Sequence, residues 1–366
     1  MAYIPEFVKL SKATDATLNA LATDIGTAYG GEAPVVVKDD LSTLKAFGKY
    51  ITSATVLTNA FLDSLVNRIV KVLYTGQSYH NSLALFKKGI IGFGEVVEDV
   101  FVAIVEGAQR NEDASTITQT NTKKIAIPDV KTAFYMSNVR CNYSVSIRKA
   151  DIDKAFTSFE GVNELIERII ATLIKSHNYD EYILTKVKLL QMAKAKDNNV
   201  RMNYTTDGTP TDMLTIAREI ALNAPFFDTA NIQEVDNTLN SDDLCIVIKA
   251  STEANIDVNA LASAFNLDKA EFIGKRVTVN DFSLSEKEQA RLKAITGLTL
   301  TDLGIDSVTY PEMIICSKNA LQIWDTKEPY FTEDYNGLDD VRTYHLHVDQ
   351  AYAINPFENF YCVTIE

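Results

Sequence analysis

From Ile152 to Ala195 the chain carries no proline, and its one glycine is Gly161. Leu165, Ile166, Ile169, Ile170, Leu173, Ile174, Leu184 and Val187 recur near one helical face over that stretch. A continuous helix over Phe159–Ala195 would be about 55 Å long at 1.5 Å per residue, which few globular folds accommodate. His177 lies on the same face and is read as a packing side chain rather than a ligand.

On either side of this segment the periodicity changes. Residues 1–50 read as a loosely structured arm, and a helix is expected from Ile51 to Tyr74, where Val56, Leu57, Ala60, Phe61, Leu65 and Ile69 share a stripe. Val96 to Val105 is rich in β-branched residues and predicts a strand. A polar stretch with five hydroxyl residues between Ser115 and Thr122 leads into two alternating runs, Ile125–Ile127–Val130 and Val139–Cys141–Tyr143–Val145–Ile147. Together they read as a long two-stranded excursion, too thin to be stable alone, that must pack on this chain or on another copy. Beyond residue 205 helices and strands alternate: a helix over Met213–Ala224 capped by Asp212, a buried strand DLCIVIKA from Asp243, a helix over Asp257–Phe265, a strand at Arg276–Val279, and a charged helix around SEKEQARLKA. Two short strands follow, Met313–Cys316 and Leu321–Trp324, around the turn Ser317–Lys318–Asn319. Two closing strands, TYHLHVDQAYAI and FENFYCVTI, meet at Asn355–Pro356.

The net charge of −14 argues against a protein that grips nucleic acid, because neutralising phosphates needs a basic face. No apolar run reaches membrane-spanning length, and the N-terminus lacks the pattern of a signal peptide. The four cysteines form no CxxC pair and read as reduced thiols. Phosphate-binding glycine loops, HExxH and GxSxG are all absent from the sequence. One constellation bears on chemistry: His345, His347 and Asp349 alternate along a strand, so they share a face that a metal could use, but the reading preferred is a solvated strand face whose opposite side, Tyr344, Leu346 and Val348, is buried. Neither metal nor cofactor is expected.

Charge is unevenly distributed. Between Asn121 and Lys154 seven basic residues face three acids, and between Asp325 and Glu366 nine acids face Lys327 and Arg342. Lys123, Lys124, Lys131 and Arg140 are therefore candidates for contact with Glu333, Asp334, Asp339 and Asp340, either of a neighbouring copy or within the chain.

An N-terminal arm, an extended β excursion, a long helix, an α/β lobe and C-terminal strands resemble, in that order, the major capsid proteins of tailed bacteriophages, whose fold is named for phage Hong Kong 97. Two segments carry the resemblance: DDLCIVIKASTEANIDVNALASAFNLDKAEFIGKRVTVNDF (242–282) and YHLHVDQAYAINPFENFYCVTI (344–365) are similar to runs in capsid proteins of phages of Gram-positive hosts. The resemblance implies an α+β fold with an N-terminal arm (1–54), a peripheral lobe with the spine helix (55–90, 151–204, 311–366), an extended loop (91–150) and an axial lobe (205–310). It implies a major capsid protein, not an enzyme, that self-assembles through hexamers and pentamers into an icosahedral shell around the phage genome. The shell would form in the host cytoplasm and hold DNA without tight binding. A separate scaffolding protein, a portal protein at one vertex, no membrane partner, no removed propeptide and no cross-linking motif complete the expectation. Other classes weighed are another phage structural protein, an encapsulin-like compartment shell, and an enzyme using His345, His347 and Asp349.

Overall fold

The computed structural model describes residues 18–19, 23, 34–37, 40–53, 57, 81–91, 96–105, 128–148, 154, 156, 159–195, 197, 199–263, 275–339 and 341–365, by backbone alone over 159–172 and 257–263 and at Thr52, Ser241, Phe331 and Glu333. Among these residues the chain forms α1 (Leu41–Thr52), β1 (Lys87–Ile90), β2 (Val97–Val102), β3 (Val130–Tyr135), β4 (Val139–Arg148), α2 (Phe159–Ala195), β5 (Asn203–Thr206) and α3 (Pro210–Asn223). It continues through β6 (Leu244–Lys249), α4 (Ala250–Ser263), β7 (Lys275–Val279), α5 (Glu286–Thr296), β8 (Met313–Ser317), β9 (Leu321–Asp325), β10 (Tyr330–Asn336), β11 (Val341–Ile354) and β12 (Phe360–Ile365). Two compact units result: residues 1–81, 141–181 and 329–347 make the first, and residues 82–140, 182–328 and 348–366 the second.

In the first unit, α1 starts where Asp40 accepts a hydrogen bond from the Ser42 amide. Its buried side is Leu44, Phe47 and Ile51. Phe47 meets Phe156 edge-on at 5.9 Å. Gly48 leaves the room that Phe156 fills, since a Cβ there would lie 2.5 Å from the Phe156 Cβ. Residues 41–50, read from sequence as part of a loose arm, are thus a capped helix whose 3–4 spacing is hidden in a short segment. Most of the helix expected over Ile51–Tyr74 lies outside the described residues. β10 pairs antiparallel with the first half of β11, from Tyr330↔His347 to Asn336↔Val341, and β4 also pairs with β11.

The second unit is built on a sheet of order β5-β12-β8-β6-β7. β6 and β8 are antiparallel from Leu244↔Ser317 to Ile248↔Met313, and β6 and β7 are parallel, joined through α4. Leu244–Ile248, Met313–Cys316 and Phe360–Val363 are all buried, the unbroken apolar pattern of strands covered on both faces. α2 occupies the helical segment expected for it. From Asp180 to Ala193, however, it is buried on nearly every side rather than along one stripe, Lys186 included. The Lys186 ammonium lies 3.5 Å from Glu288, the residue that also closes the capping box of α5 with Ser285. In the same unit β9 lies between β1 and the last part of β11.

Several boundaries and pairings differ from the sequence reading for identifiable reasons. Thr209, not Asp212, caps α3, with Pro210 in the first turn; Asp212 instead accepts from the Thr206 hydroxyl at 2.6 Å. α4 begins at Ala250, directly after β6, rather than at Asp257. β8 and β9 do not form a hairpin around Ser317–Asn319 but belong to different sheets, as do β11 and β12.

Candidate assembly surface

The excursion expected over 108–150 is organised differently from a single hairpin. β3 pairs antiparallel with β2, from Val97↔Tyr135 to Val102↔Val130, whereas β4 pairs with β11. There the Ser144 hydroxyl meets His345 Nδ1 at 2.7 Å and Ser146 meets Thr343 at 2.9 Å. Ile125 and Ile127 lie outside the described residues.

Alternation gives the β2–β3 ribbon two unlike faces. Its inner face belongs to the second unit. Phe101 stacks on Phe357 at 5.6 Å, and Asp99 accepts from Asn355 at 2.6 Å and from the Tyr135 hydroxyl at 3.3 Å. Burial and the neighbouring Asp99 push the Tyr135 hydroxyl well above the usual phenol range. Just beyond β3, Asn138 donates to the Tyr352 carbonyl at 2.7 Å and accepts from the Tyr352 amide at 2.9 Å. The outer face carries Val100, Val102, Val130 and Phe134, followed by Met136 beyond the strand, all exposed, with Phe134 at 59%. Apolar side chains grouped on one face of a thin ribbon are the mark of a surface meant for contact.

The charged candidates sit as follows. Lys131 is half-buried and donates to the Gln233 carbonyl at 3.3 Å, so it is engaged by its own unit. Arg140 is exposed. Asp334 is exposed near the end of β10, and Asp339 is exposed and accepts from Asn336 at 2.8 Å. Glu333 is described by backbone alone, and Lys123, Lys124 and Asp340 lie outside the described residues.

The strand-borne constellation resolves into ordinary packing partners. In the first unit His345 bonds Ser144, while His347 Nε2 meets the Thr332 hydroxyl at 2.7 Å and its ring stacks on Tyr330 at 4.9 Å. In the second unit Asp349 pairs with Lys327 at 3.3 Å. Tyr344, Leu346 and Val348 are buried, as the alternation predicts. Among the described residues no group of three His, Cys, Asp or Glu is arranged to hold a metal ion, and no helix is long and apolar enough to cross a membrane.

Sequence reasoning missed the anchor of the ribbon, namely Asp99, Asn355, Phe101 and Phe357. Asp99 and Asn355 are 256 positions apart, and no motif joins them. The available signal was local: Asp99 and Phe101 are a polar and an aromatic residue on one side of a strand otherwise rich in valine.

The profile of the family described as Phi29-like phage major capsid protein matches residues 18–364. The major capsid protein of Bacillus phage GA-1 is 29% identical over 252 residues, 65% of this chain and 51% of that protein. That of Bacillus phage B103 is 28% identical over 313 residues, covering 82% and 62%, and that of Streptococcus phage Cp-1 is 27% identical over 288 residues, covering 72% and 75%. The chain therefore spans about half to two-thirds of the length of its Bacillus phage relatives. Among solved structures, the capsid of Staphylococcus phage Andhra matches with a TM-score of 0.57 at 15% identity, covering 80% of this chain and 86% of that one. A chain in the structure of the head fiber and inner core protein of native bacteriophage P68 matches with a TM-score of 0.58 at 14% identity, covering 79% and 85%. These likenesses show the fold, which is the α+β capsid fold of the Hong Kong 97 type. Taken with the profile match over nearly all of its length, they make this chain a member of the Phi29-like phage major capsid protein family.

Proposed function

We propose that copies of this chain assemble into the icosahedral head that encloses a phage genome, and that the outer face of the β2–β3 ribbon is buried against a neighbouring copy. The observation that carries this reading is the row Val100, Val102, Val130 and Phe134, exposed on a ribbon whose other face is already satisfied within its own unit. Burying such side chains between subunits contributes about 25 cal/mol per Å² of apolar area, repeated at every equivalent contact in a shell.

Within this reading the protein is a structural subunit of the virion, assembled in the host cytoplasm as hexamers and pentamers, with a separate scaffolding protein and a portal protein at one vertex. It is not an enzyme. The net charge of −14 supports enclosure of DNA without tight binding. Residues 1–54 serve as the arm, 91–150 as the extended loop, 205–310 as the axial lobe, and 55–90, 151–204 and 311–366 as the peripheral lobe. Lys123, Lys124 and Arg140 add long-range attraction toward Glu333, Asp334, Asp339 and Asp340 of a neighbour, each exposed pair contributing about 0–1 kcal/mol; Lys131 takes the smaller part because it already bonds Gln233.

The test is Phe134→Asp in the full chain, followed by sedimentation and negative-stain imaging under conditions where the parent assembles. The variant is expected to keep its circular dichroism and melting temperature while failing to form capsomers or shells. Normal shells from a folded Phe134→Asp protein would remove the ribbon's outer face from the assembly contacts.

A further inference from the structure

A ring of more than two copies closes only if each contact joins two different surfaces, because a patch that meets its own equivalent stops at a dimer. The outer row of the β2–β3 ribbon therefore needs an acceptor elsewhere on the chain. A second apolar surface of the same unit lies at the end of α3. That helix buries Met213, Ile216, Ala217, Ile220 and Ala221. Beyond its last turn, Phe226 and Phe227 are 69% and 61% exposed, and Leu222 within that turn is exposed as well.

The turn that carries the two rings is fixed at both ends. The Phe226 amide donates to the Asn223 carbonyl at 2.9 Å and the Leu239 amide to the Ala224 carbonyl at 2.7 Å. Asp228 exchanges two backbone bonds with Asn237, at 2.9 and 3.0 Å, and its carboxylate accepts from Arg201 at 2.8 Å and from the Tyr361 hydroxyl at 3.1 Å. Phenylalanines held outward on such a turn gain little from their own fold, and their backbone is ordered before any partner arrives. Charge selects the partner. From Glu219 to Ile248 the chain has six acids and neither lysine nor arginine, and Glu219, Glu234 and Asp236 are exposed. The stretch that contains β3, Asn121–Lys154, has seven basic residues against three acids. Apolar area on both surfaces and opposite charge around them match the two.

We infer that the acceptor for the ribbon's outer row is the Phe226–Phe227 turn of a second copy of this chain, in a head-to-tail contact repeated around each capsomer. The inference rests on the ribbon's proposed role in assembly and adds the surface that it meets. Each copy presents its ribbon to one neighbour and its turn to the other. Val100, Val102, Val130 and Phe134 lie against the two rings, while the acidic stretch around the turn draws in the basic stretch around β3. In the single chain both surfaces are exposed, so neither covers the other.

The experiment uses the full chain in two ways. Phe226→Ser with Phe227→Ser should leave the melting temperature of the unassembled protein nearly unchanged and raise the concentration needed for assembly at least about tenfold, read from light scattering. Thr132→Cys, on the exposed row of β3, and Asn223→Cys, exposed at the end of α3, are then made in separate chains, assembled together and treated with a thiol-specific bifunctional reagent. The mixture should give linked pairs on a denaturing gel, joined at the two introduced thiols by peptide mapping. Neither variant alone should do so, nor should the parent with its native cysteines. Assembly of the double serine variant at the parent's concentration overturns the inference. So do linked pairs from Thr132→Cys alone, which mean that ribbon meets ribbon, and shells from the mixture without linked pairs. Phe134→Asp separates such a failure from failure of the ribbon's role: if it still blocks assembly the ribbon has another acceptor, and if it does not both readings fall.

Discussion

Two antiparallel pairings in the second unit use similar residues to opposite ends. β6 against β8 is apolar at every position from Leu244 to Ile248 and from Met313 to Cys316, and all of these side chains are buried. β2 against β3 is also rich in valine and aromatics, but its side chains alternate between a half-buried inner row and an exposed outer row. In the first pair a neighbouring layer covers each face, so an apolar residue stabilises the fold wherever it falls. In the ribbon only the inner row gains from folding, and nothing within the described residues accounts for valine and phenylalanine on the outer row. Outer apolarity that folding does not use is what a contact between chains requires.

The difference can be broken most sharply with thiol chemistry. Cys245 and Cys316 face each other across β6 and β8, and burial pushes the Cys245 thiol up to about 12 and the Cys316 thiol well above its usual range. Both should react with a thiol reagent only through global unfolding, at least about a thousandfold slower than a free thiol. Val100→Cys on the ribbon's outer row should react at close to the free rate in the unassembled chain and become protected in shells. Equal rates at the two sites would erase the distinction.

Next in size are truncations. Ile315→Ala, in a strand with no exposed side chain, should cost about 2–5 kcal/mol in a denaturant melt of the unassembled protein. Phe101→Ala, which removes the ring stacked on Phe357, should cost about 1–2 kcal/mol, because that side chain is only partly buried and loses one aromatic partner. If Phe101→Ala cost as much as Ile315→Ala, the ribbon would be part of the core and not an attachment to it. The smallest effect belongs to the outer row. Val102→Thr with Val130→Thr should change the stability of the unassembled chain by less than about 0.5 kcal/mol. The same pair should raise the concentration needed for assembly, read from light scattering. A large loss of stability without an assembly defect would show that the outer row packs within its own chain.

The same two regions show what could be read in advance. The strands of the central sheet were recognisable as unbroken apolar runs between turn residues. The candidate surface was only partly recognisable: the alternation around Val130 and Val139–Ile147 marked strands, and their thinness marked a need for something to lie on. Adjacency in sequence suggests one hairpin for the runs at Val130 and Val139–Ile147, whereas β3 pairs with β2 and β4 with β11. The charge pattern pointed to Lys131, which is occupied by Gln233, and not to Asp99, whose acidic neighbour Glu98 lies on the opposite face of the same strand.

By itself the sequence determined the elements whose hydrogen bonds are local. A stretch without proline and with one glycine can close its i to i−4 bonds all along, so α2 could be placed at Phe159–Ala195 from residue types alone. Period-two alternation likewise determined that Tyr344, Leu346 and Val348 face inward. Only the tertiary structure decided which strand lies beside which: β4 beside β11, β3 beside β2, and β8 and β9 in separate sheets. Alternation states which face of a strand is apolar but carries no information about the residue across the ladder. That choice depends on contacts such as Asp99 with Asn355, formed between positions far apart in the chain, whose free energy exists only once the rest of the fold has brought them together.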